Sequence, residues 1–295
     1  MSTIKPPTTY KEQLEKLRSR GCIIRNEDYA IDVLSKINYY RLTAYFLPFK
    51  QSDETYITGT DFDTVYQIYE FDRKMRLILF AAIEEIEVYL RSTLAYYHAH
   101  KYGAMGYLDN KNYYPKHKHM DFLARIESEK QKRGKEPFVQ HHSDKYGGSF
   151  PIWVIIELFS FGTLSHFYAD MPTCDQKFLA RTYFKTYQNV LRSWLRCCTD
   201  LRNFCAHFGR LYFRVFTSIP KGLSELNDNN QRSLFAVIIV LRNLYANPEK
   251  WNREIYTSLV SLVNEYKRVI RLSCIGFPQD WEEKLHRPVQ GAVRE

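Results

Sequence analysis

Several signatures that would place a chain at once are missing from these 295 residues. No Gly-rich phosphate loop, nucleophile elbow or paired-carboxylate motif occurs, which argues against an NTPase, an α/β-hydrolase and a two-metal nuclease. No apolar run approaches the ~20 residues of a membrane span, and Met1 to Tyr10 is polar and unlike a signal peptide. The six cysteines, Cys22, Cys174, Cys197, Cys198, Cys205 and Cys274, form no CxxC pair and no regular spacing, so a reducing, cytoplasmic setting fits. Period-two alternation of any length is also missing, and there is no internal repeat. An all-α fold remains.

What is present is basic, aromatic and patterned for helices. Forty-two Lys and Arg stand against 33 Asp and Glu, a formal charge of +9, which favours an anionic partner. Aromatics make up 16% of the chain, 23 of them Tyr, a residue that stacks on bases and bonds phosphate or ribose. Helix packing nonetheless takes most such rings first.

Periodicity predicts a short helix from Tyr10 to Arg20 and another from Glu27 to Phe49. Thr60-Asp61-Phe62-Asp63 resembles a capping box that opens a long helix towards Tyr97, burying Phe71, Met75, Leu79, Ile83, Ile86 and Leu90. Between Gly103 and Gly148 the pattern gives way to a Lys-, His- and Tyr-rich stretch, read as a mobile basic insertion that tracks RNA backbone or as a solvated loop. Helical spacing returns over Trp153 to Ser160 with a bend at Gly162, from about Asp175, over Arg192 to Phe208, Gln231 to Tyr245, and Pro248 to Leu272. The long helix and the Arg192 to Phe208 helix form the expected central pair. The expected division is a helical region over 1–59 followed by a helical domain over 60–295, with 103–148 inserted.

The Arg192 to Phe208 helix carries the chemistry. Leu191, Trp194, Cys198, Leu201, Cys205, Phe208 and Tyr212 recur every three or four residues as an oily face, and Arg192, Arg196, Asn203, His207 and Arg210 fall on a second, basic stripe. Within it, Arg202-Asn203-Phe204-Cys205-Ala206-His207 gathers a guanidinium, an amide and an imidazole. Such a set cuts RNA without a metal. His accepts the proton of the attacking ribose 2′-hydroxyl and protonates the leaving 5′-oxygen, while Arg stabilises the charge that builds on phosphorus. Asn203, one turn before His207, is placed to fix the imidazole tautomer. Arg202 and His207 are five positions apart, roughly 140° around a helix, so they meet on one phosphate only through distortion, a long reach or a second copy of the chain. Gly209 is a natural place for the helix to stop. The same spacing also occurs by chance in basic helical proteins, where a helix His is usually a surface residue.

The segment resembles the Arg, four-to-six residues, His signature of HEPN-domain ribonucleases, in the form seen in Abi-like proteins of the AbiD/AbiF abortive-infection type. Phe208-Gly209-Arg210-Leu211-Tyr212 follows it as in that family, and three earlier stretches and one later stretch are similar to its landmarks in the same order. These are Ile37 to Leu42, Tyr69 to Arg76, Ile83 to Ser92, and Gly276 to Trp281. The resemblance implies a HEPN-like helical bundle, RNA as substrate, a toxin or antiphage role, pairing of two motifs by homodimerisation, and in some relatives control by a small RNA antitoxin. On this reading Arg202, His207 and Asn203 are catalytic, and Arg192, Arg196 and Arg210 bind RNA.

Glu84, Glu87 and Arg91 share a stripe of the long helix. They read either as an intrahelical ion-pair ladder or, with the resemblance tilting the balance, as groups that anchor Arg202 or His207. Arg91 and His98 repeat the Arg-to-His spacing but stand two turns apart, and read as a decoy. His117, His119 and His141 lack carboxylate or Cys companions at ligand spacing, so no metal site and no cofactor is expected. Two rival readings stay open: a non-catalytic RNA-binding protein that holds a cognate small RNA, and a protein-interaction module.

Overall fold

The computed structural model describes residues 6–224, 226 and 230–288, so both ends of the expected division fall partly outside the described residues. Helix α1 (Tyr10–Ser19) starts on a capping box of Thr9 and Glu12, and α2 (Glu27–Lys36) on Asn26. The sequence pattern runs on to Phe49 without interruption, yet the helix breaks. Ile37 is extended, and the Asn38 side chain accepts from the Tyr40 amide to begin α3 (Tyr39–Phe46) in a new direction. A local side-chain cap has outcompeted continuation of the helix there.

The spine is α4 (Phe62–Tyr102), 41 residues long, which at 1.5 Å per residue is roughly 60 Å. Its cap is Asp61, whose carboxylate accepts the Asp63 and Thr64 amides. Thr60, at the head of the expected capping box, instead donates to the Ile57 carbonyl at 2.6 Å.

The basic insertion is helical, contrary to the loop expected from its charge. It contains α5 (His119–Lys132) and α6 (Pro137–Lys145), preceded by two 3-10 turns. Tyr107, Tyr113, Phe122, Ile126 and Val139 bury against the body. Phe122 and Ile126 are one turn apart, a narrow apolar seam that the surrounding Lys and Glu conceal; those charges pair along the helix, as Lys130 with Glu127 and Lys132 with Glu129 do. His117 Nδ1 lies 2.9 Å from Asp170 Oδ2, and His119 Nε2 lies 2.9 Å from the Leu108 carbonyl.

Next come α7 (Ile152–Ile155), continued by a 3-10 turn, α8 (Phe161–Asp170), α9 (Thr173–Thr182) and α10 (Gln188–Ala206). Gly162 is no bend. It sits in the first turn of α8, where a Cβ would lie 3.4 Å from Thr199 Cγ2, so it lets α8 pack closely on α10. The chain ends with α11 (Leu234–Leu244), α12 (Pro248–Lys250), a π turn over Trp251–Tyr256, α13 (Thr257–Tyr266) and α14 (Trp281–Leu285).

The expected central pair, α4 and α10, pack on each other and are joined by a third helix, α11. Every residue from Leu234 to Leu241 in α11 is buried, the mark of a helix surrounded on all sides, and α11 packs on both α4 and α10. Gly276, with φ of 78°, closes the chain over the start of α11; a Cβ there would fall 2.2 Å from Ser233 Cβ. One continuous hydrophobic cluster joins α1 to α14. Among the described residues there is no strand, only isolated bridges at Ile23–Asp61 and Lys50–Tyr56. The fold is all-α, and no described helix is long and apolar enough to cross a membrane.

Candidate functional site

Helix α10 stays regular through Ala206 and places His207 at its C-cap. The chain then turns sharply. The Gly209 amide donates to the Phe204 carbonyl at 2.7 Å and the Phe208 amide to that of Cys205 at 3.2 Å, a Schellman arrangement. The left-handed residue of that turn is not the glycine but Phe208, with φ of 56°. Gly209 is needed for a different reason, since a Cβ there would press on the Phe204 ring and carbonyl at 3.1 and 3.3 Å. A bulky residue held left-handed beside a candidate catalytic His stores strain that the surroundings must hold in place.

Those surroundings are α3 and α4. Arg41 Nη1 donates to the Phe208 carbonyl at 2.7 Å, and Arg76 Nη1 to that of Gly209 at 3.2 Å. Asp72, only 1% exposed, accepts from the Tyr45 hydroxyl at 2.6 Å, the Leu211 amide at 3.1 Å, the Tyr212 amide at 2.8 Å and Arg76 at 2.5 Å. Burial pushes the Asp72 carboxyl upward, opposed by Arg76 and those donors, while burial and the Asp72 charge push Tyr45 well above an ordinary phenol. Every strand of this clamp holds the turn that follows His207.

Beside the turn opens a cavity of about 680 Å³ between α2, α3, α4 and the end of α10. Lys36, Arg41, Arg73 and Arg76 supply its cations, and Tyr69, Leu77, Phe80 and Phe208 its apolar wall. Cys205 and Ala206, immediately before His207, form part of the lining, and no carboxylate belongs to it. Lys36, Arg73 and Arg76 pair with Asp32, Glu70 and Asp72 respectively; Arg41 forms no ion pair among the described residues.

The expected catalytic residues lie around this end of α10, and no side-chain hydrogen bond joins them among the described residues. His207 and Asn203 are exposed, linked only by the backbone bond from the His207 amide to the Asn203 carbonyl at 3.0 Å. Arg202 is half-buried, and its Nε is buried with no hydrogen-bond partner among the described residues. No hydrogen bond joins Arg202 to His207 within the chain, as expected for residues five apart on an undistorted helix. Arg192 and Arg196 are exposed on the outer stripe. Arg210 turns inward instead: it donates to the Ala44 carbonyl and its guanidinium lies 5.9 Å from the Tyr45 ring centre, tying the turn to α3.

Glu87 and Arg91 form an intrahelical pair at 2.5 Å, and Arg91 also donates to the Phe159 carbonyl at 2.8 Å. Neither they nor the exposed Glu84 bonds to Arg202 or His207 among the described residues. His98 is fully buried among Tyr102, Tyr113 and Phe167, out of reach of any substrate. Cys198 and Cys205 are buried, and burial pushes the Cys205 thiol to about 12, so both serve as core. Among the described residues no group of His, Cys, Asp or Glu could hold a metal ion.

Arg41, Asp72 and Arg76 went unassigned in the sequence although each lies in a stretch that carried the resemblance. A signal existed for two of them. Asp72 and Arg76 are opposite charges one turn apart on a stripe otherwise made of Ile68, Phe71, Met75 and Leu79, a placement that burial forces into a pair. Arg41 gave none, because its partner is a backbone carbonyl 167 residues away.

No curated protein and no solved structure matches the chain. A family model described as Abi-like protein matches residues 32–213, which spans α3, α4, the insertion, the motif helix and the clamped turn. The chain therefore belongs to the Abi-like protein family.

Proposed function

We propose that the protein is a metal-independent endoribonuclease of HEPN type that acts as an abortive-infection toxin. His207 is the general acid and base, Arg202 the group that stabilises the charged phosphorane, and Asn203 the imidazole's positioning partner. The attacking 2′-hydroxyl gives up its proton, the 5′-oxygen leaves with one, and the products are a 2′,3′-cyclic phosphate and a 5′-hydroxyl. Arg192 and Arg196 meet the flanking phosphates.

One observation carries this reading: Arg202 keeps a buried Nε without a partner among the described residues, about a turn and a half before an exposed His207, beside a cavity lined by four cations. A guanidinium N–H left without an acceptor is costly, and a phosphate oxygen satisfies it once the half-buried side chain moves to expose that nitrogen. Since no hydrogen bond joins Arg202 to His207 within one chain, the reading includes a homodimer in which each copy supplies half of a site.

The test is cleavage of total RNA in EDTA with analysis of the new ends. Wild type yields cyclic phosphates, and His207→Ala abolishes cleavage while binding persists; cleavage retained by His207→Ala removes the imidazole from the mechanism. The separation of Arg202 from His207 also favours a second reading, an RNA-binding protein that holds a small RNA without cutting it. Equal toxicity of wild type and an Arg202→Ala/His207→Ala double variant supports that one.

A further inference from the structure

We infer that the cavity beside the motif turn is a nucleotide pocket, which takes one unpaired nucleotide of an RNA strand, its base against Phe80 and Phe208 and its phosphate against Arg41. The inference rests on RNA being the ligand and adds which part of the strand is held, and by what.

The shape and chemistry of the space argue for this occupant. At about 680 Å³ it falls in the range of small-molecule sites, roughly 300–1,000 Å³. Two exposed phenylalanines stand on its wall from different elements, Phe80 on α4 and Phe208 on the turn after α10. Exposed aromatic rings beside cations are the stacking platform of single-strand binders, because every base presents a π face. A base pair could not use such a recess, since its faces stay within the helical stack, so the ligand is an unstacked nucleotide.

The polar groups fit the same ligand. Most polar side chains that reach the cavity present donors: Lys36, Arg41, Arg73 and Arg76 have no acceptor to offer, Asn38 already spends its oxygen on the Tyr40 amide, and the Tyr69 hydroxyl can donate as well as accept. A nucleotide supplies acceptors on both its phosphate and its base edge, and guanine, with O6 and N7 side by side, is the base best matched to such a wall. Arg41 is the cation left without a carboxylate among the described residues, and its bond to the Phe208 carbonyl sets it on the same rim as the ring. The placement also suits the chemistry, for Ala206 in the lining precedes His207 by one residue. A base captured here holds its own phosphodiester at the end of α10. The strain at Phe208 then has a use, because a glycine would make the turn at lower cost but present no ring.

The experiment measures binding of 2′-O-methylated UUGUU to the full chain by fluorescence anisotropy, against the same strand with an abasic residue at its centre. Neither strand can undergo 2′-hydroxyl attack, so the result is independent of whether the protein cleaves RNA. The intact strand binds roughly tenfold more tightly than the abasic one, the usual worth of one stacked base. That ratio persists as salt rises while both affinities fall. Phe80→Ala and Phe208→Gly each bring the ratio close to unity, and Phe208→Gly removes strain, so misfolding does not explain its loss. Arg41→Gln weakens both strands alike. Equal binding of the intact and abasic strands by wild type, or a ratio unchanged in both Phe variants, overturns the pocket even where RNA binding and cleavage are intact.

Discussion

Asp72 and Arg76, four residues apart on α4, meet at 2.5 Å inside the protein, and between them bond to Gly209, Leu211 and Tyr212 of the turn that follows His207. A charged pair on a different helix thus fixes the turn that follows the candidate catalytic His. Asp72→Asn leaves Arg76 buried without its counter-charge, and breaking such a pair from one side costs about 3–5 kcal/mol. Urea unfolding reads that loss directly. A change below about 1 kcal/mol would show the pair to be solvated and dispensable. An Asp72→Leu/Arg76→Met double variant removes the orphan charge but leaves the buried Leu211 and Tyr212 amides and the Tyr45 hydroxyl without their acceptor, so it is expected to remain clearly less stable than wild type.

Phe208 makes the opposite prediction. Its left-handed conformation costs a non-glycine residue about 1–2 kcal/mol, and with 65% of the residue exposed little burial is lost on truncation. Phe208→Gly is therefore expected to raise stability by about 1 kcal/mol after the extra freedom of glycine in the unfolded chain is counted. Phe208→Val, β-branched, is expected to lower it. A glycine variant less stable than wild type in urea would mean that the ring contributes packing which its exposure conceals.

These two sites show what the sequence makes legible and what it hides. Periodicity exposes any element that has a clean oily face, which is why α4 and α10 are readable almost to their ends. It fails where a short-range cap intervenes, as Asn38 does between α2 and α3, because the interruption resides in one amide bond and not in the hydrophobic pattern. It fails again at α5, whose Phe122 and Ile126 are outnumbered by paired charges. For the candidate site, the motif residues are visible because they sit close together in the chain. The clamp is not, since Arg41, Asp72 and the turn come from three distant segments, joined largely through backbone atoms that carry no residue identity.

His98 gives the fold a pH dependence with a definite sign. Both ring nitrogens are buried without hydrogen-bond partners among the described residues, and burial lowers its pKa to about 4, with Asp175 opposing weakly. The unfolded chain takes up the proton near the ordinary pH of 6.5, whereas the folded chain refuses it until about 4. Between those values the unfolded state binds more protons, so stability falls as pH falls, by about 3 kcal/mol across the window, and this group adds nothing further below it. Urea midpoints at pH 7 and pH 4.5 measure the slope. His98→Leu is expected to flatten it without loss of stability at pH 7, because an unsatisfied polar ring gives way to an apolar side chain. The same slope in both proteins would assign the acid sensitivity elsewhere.

The separation of Arg202 from His207 along α10 decides how the nuclease reading is best challenged. If each cleavage site takes its Arg from one copy and its His from the other, Arg202→Ala and His207→Ala are inactive alone and recover activity when mixed. A mixed dimer then has one site with both defects and one with neither. With half of the dimers mixed and one of two sites intact in each, roughly a quarter of wild-type cleavage returns. If the two groups act within one chain, every site in every dimer has a defect and mixing restores nothing. The measurement is the rate of RNA cleavage in EDTA as the two variants are combined after exchange of subunits. Its dependence on mixing ratio should peak at equal amounts, which contamination by wild type cannot imitate. Recovery would also explain why Arg202 Nε has no partner among the described residues, since its phosphate is gripped only when a second copy brings the imidazole to the other side.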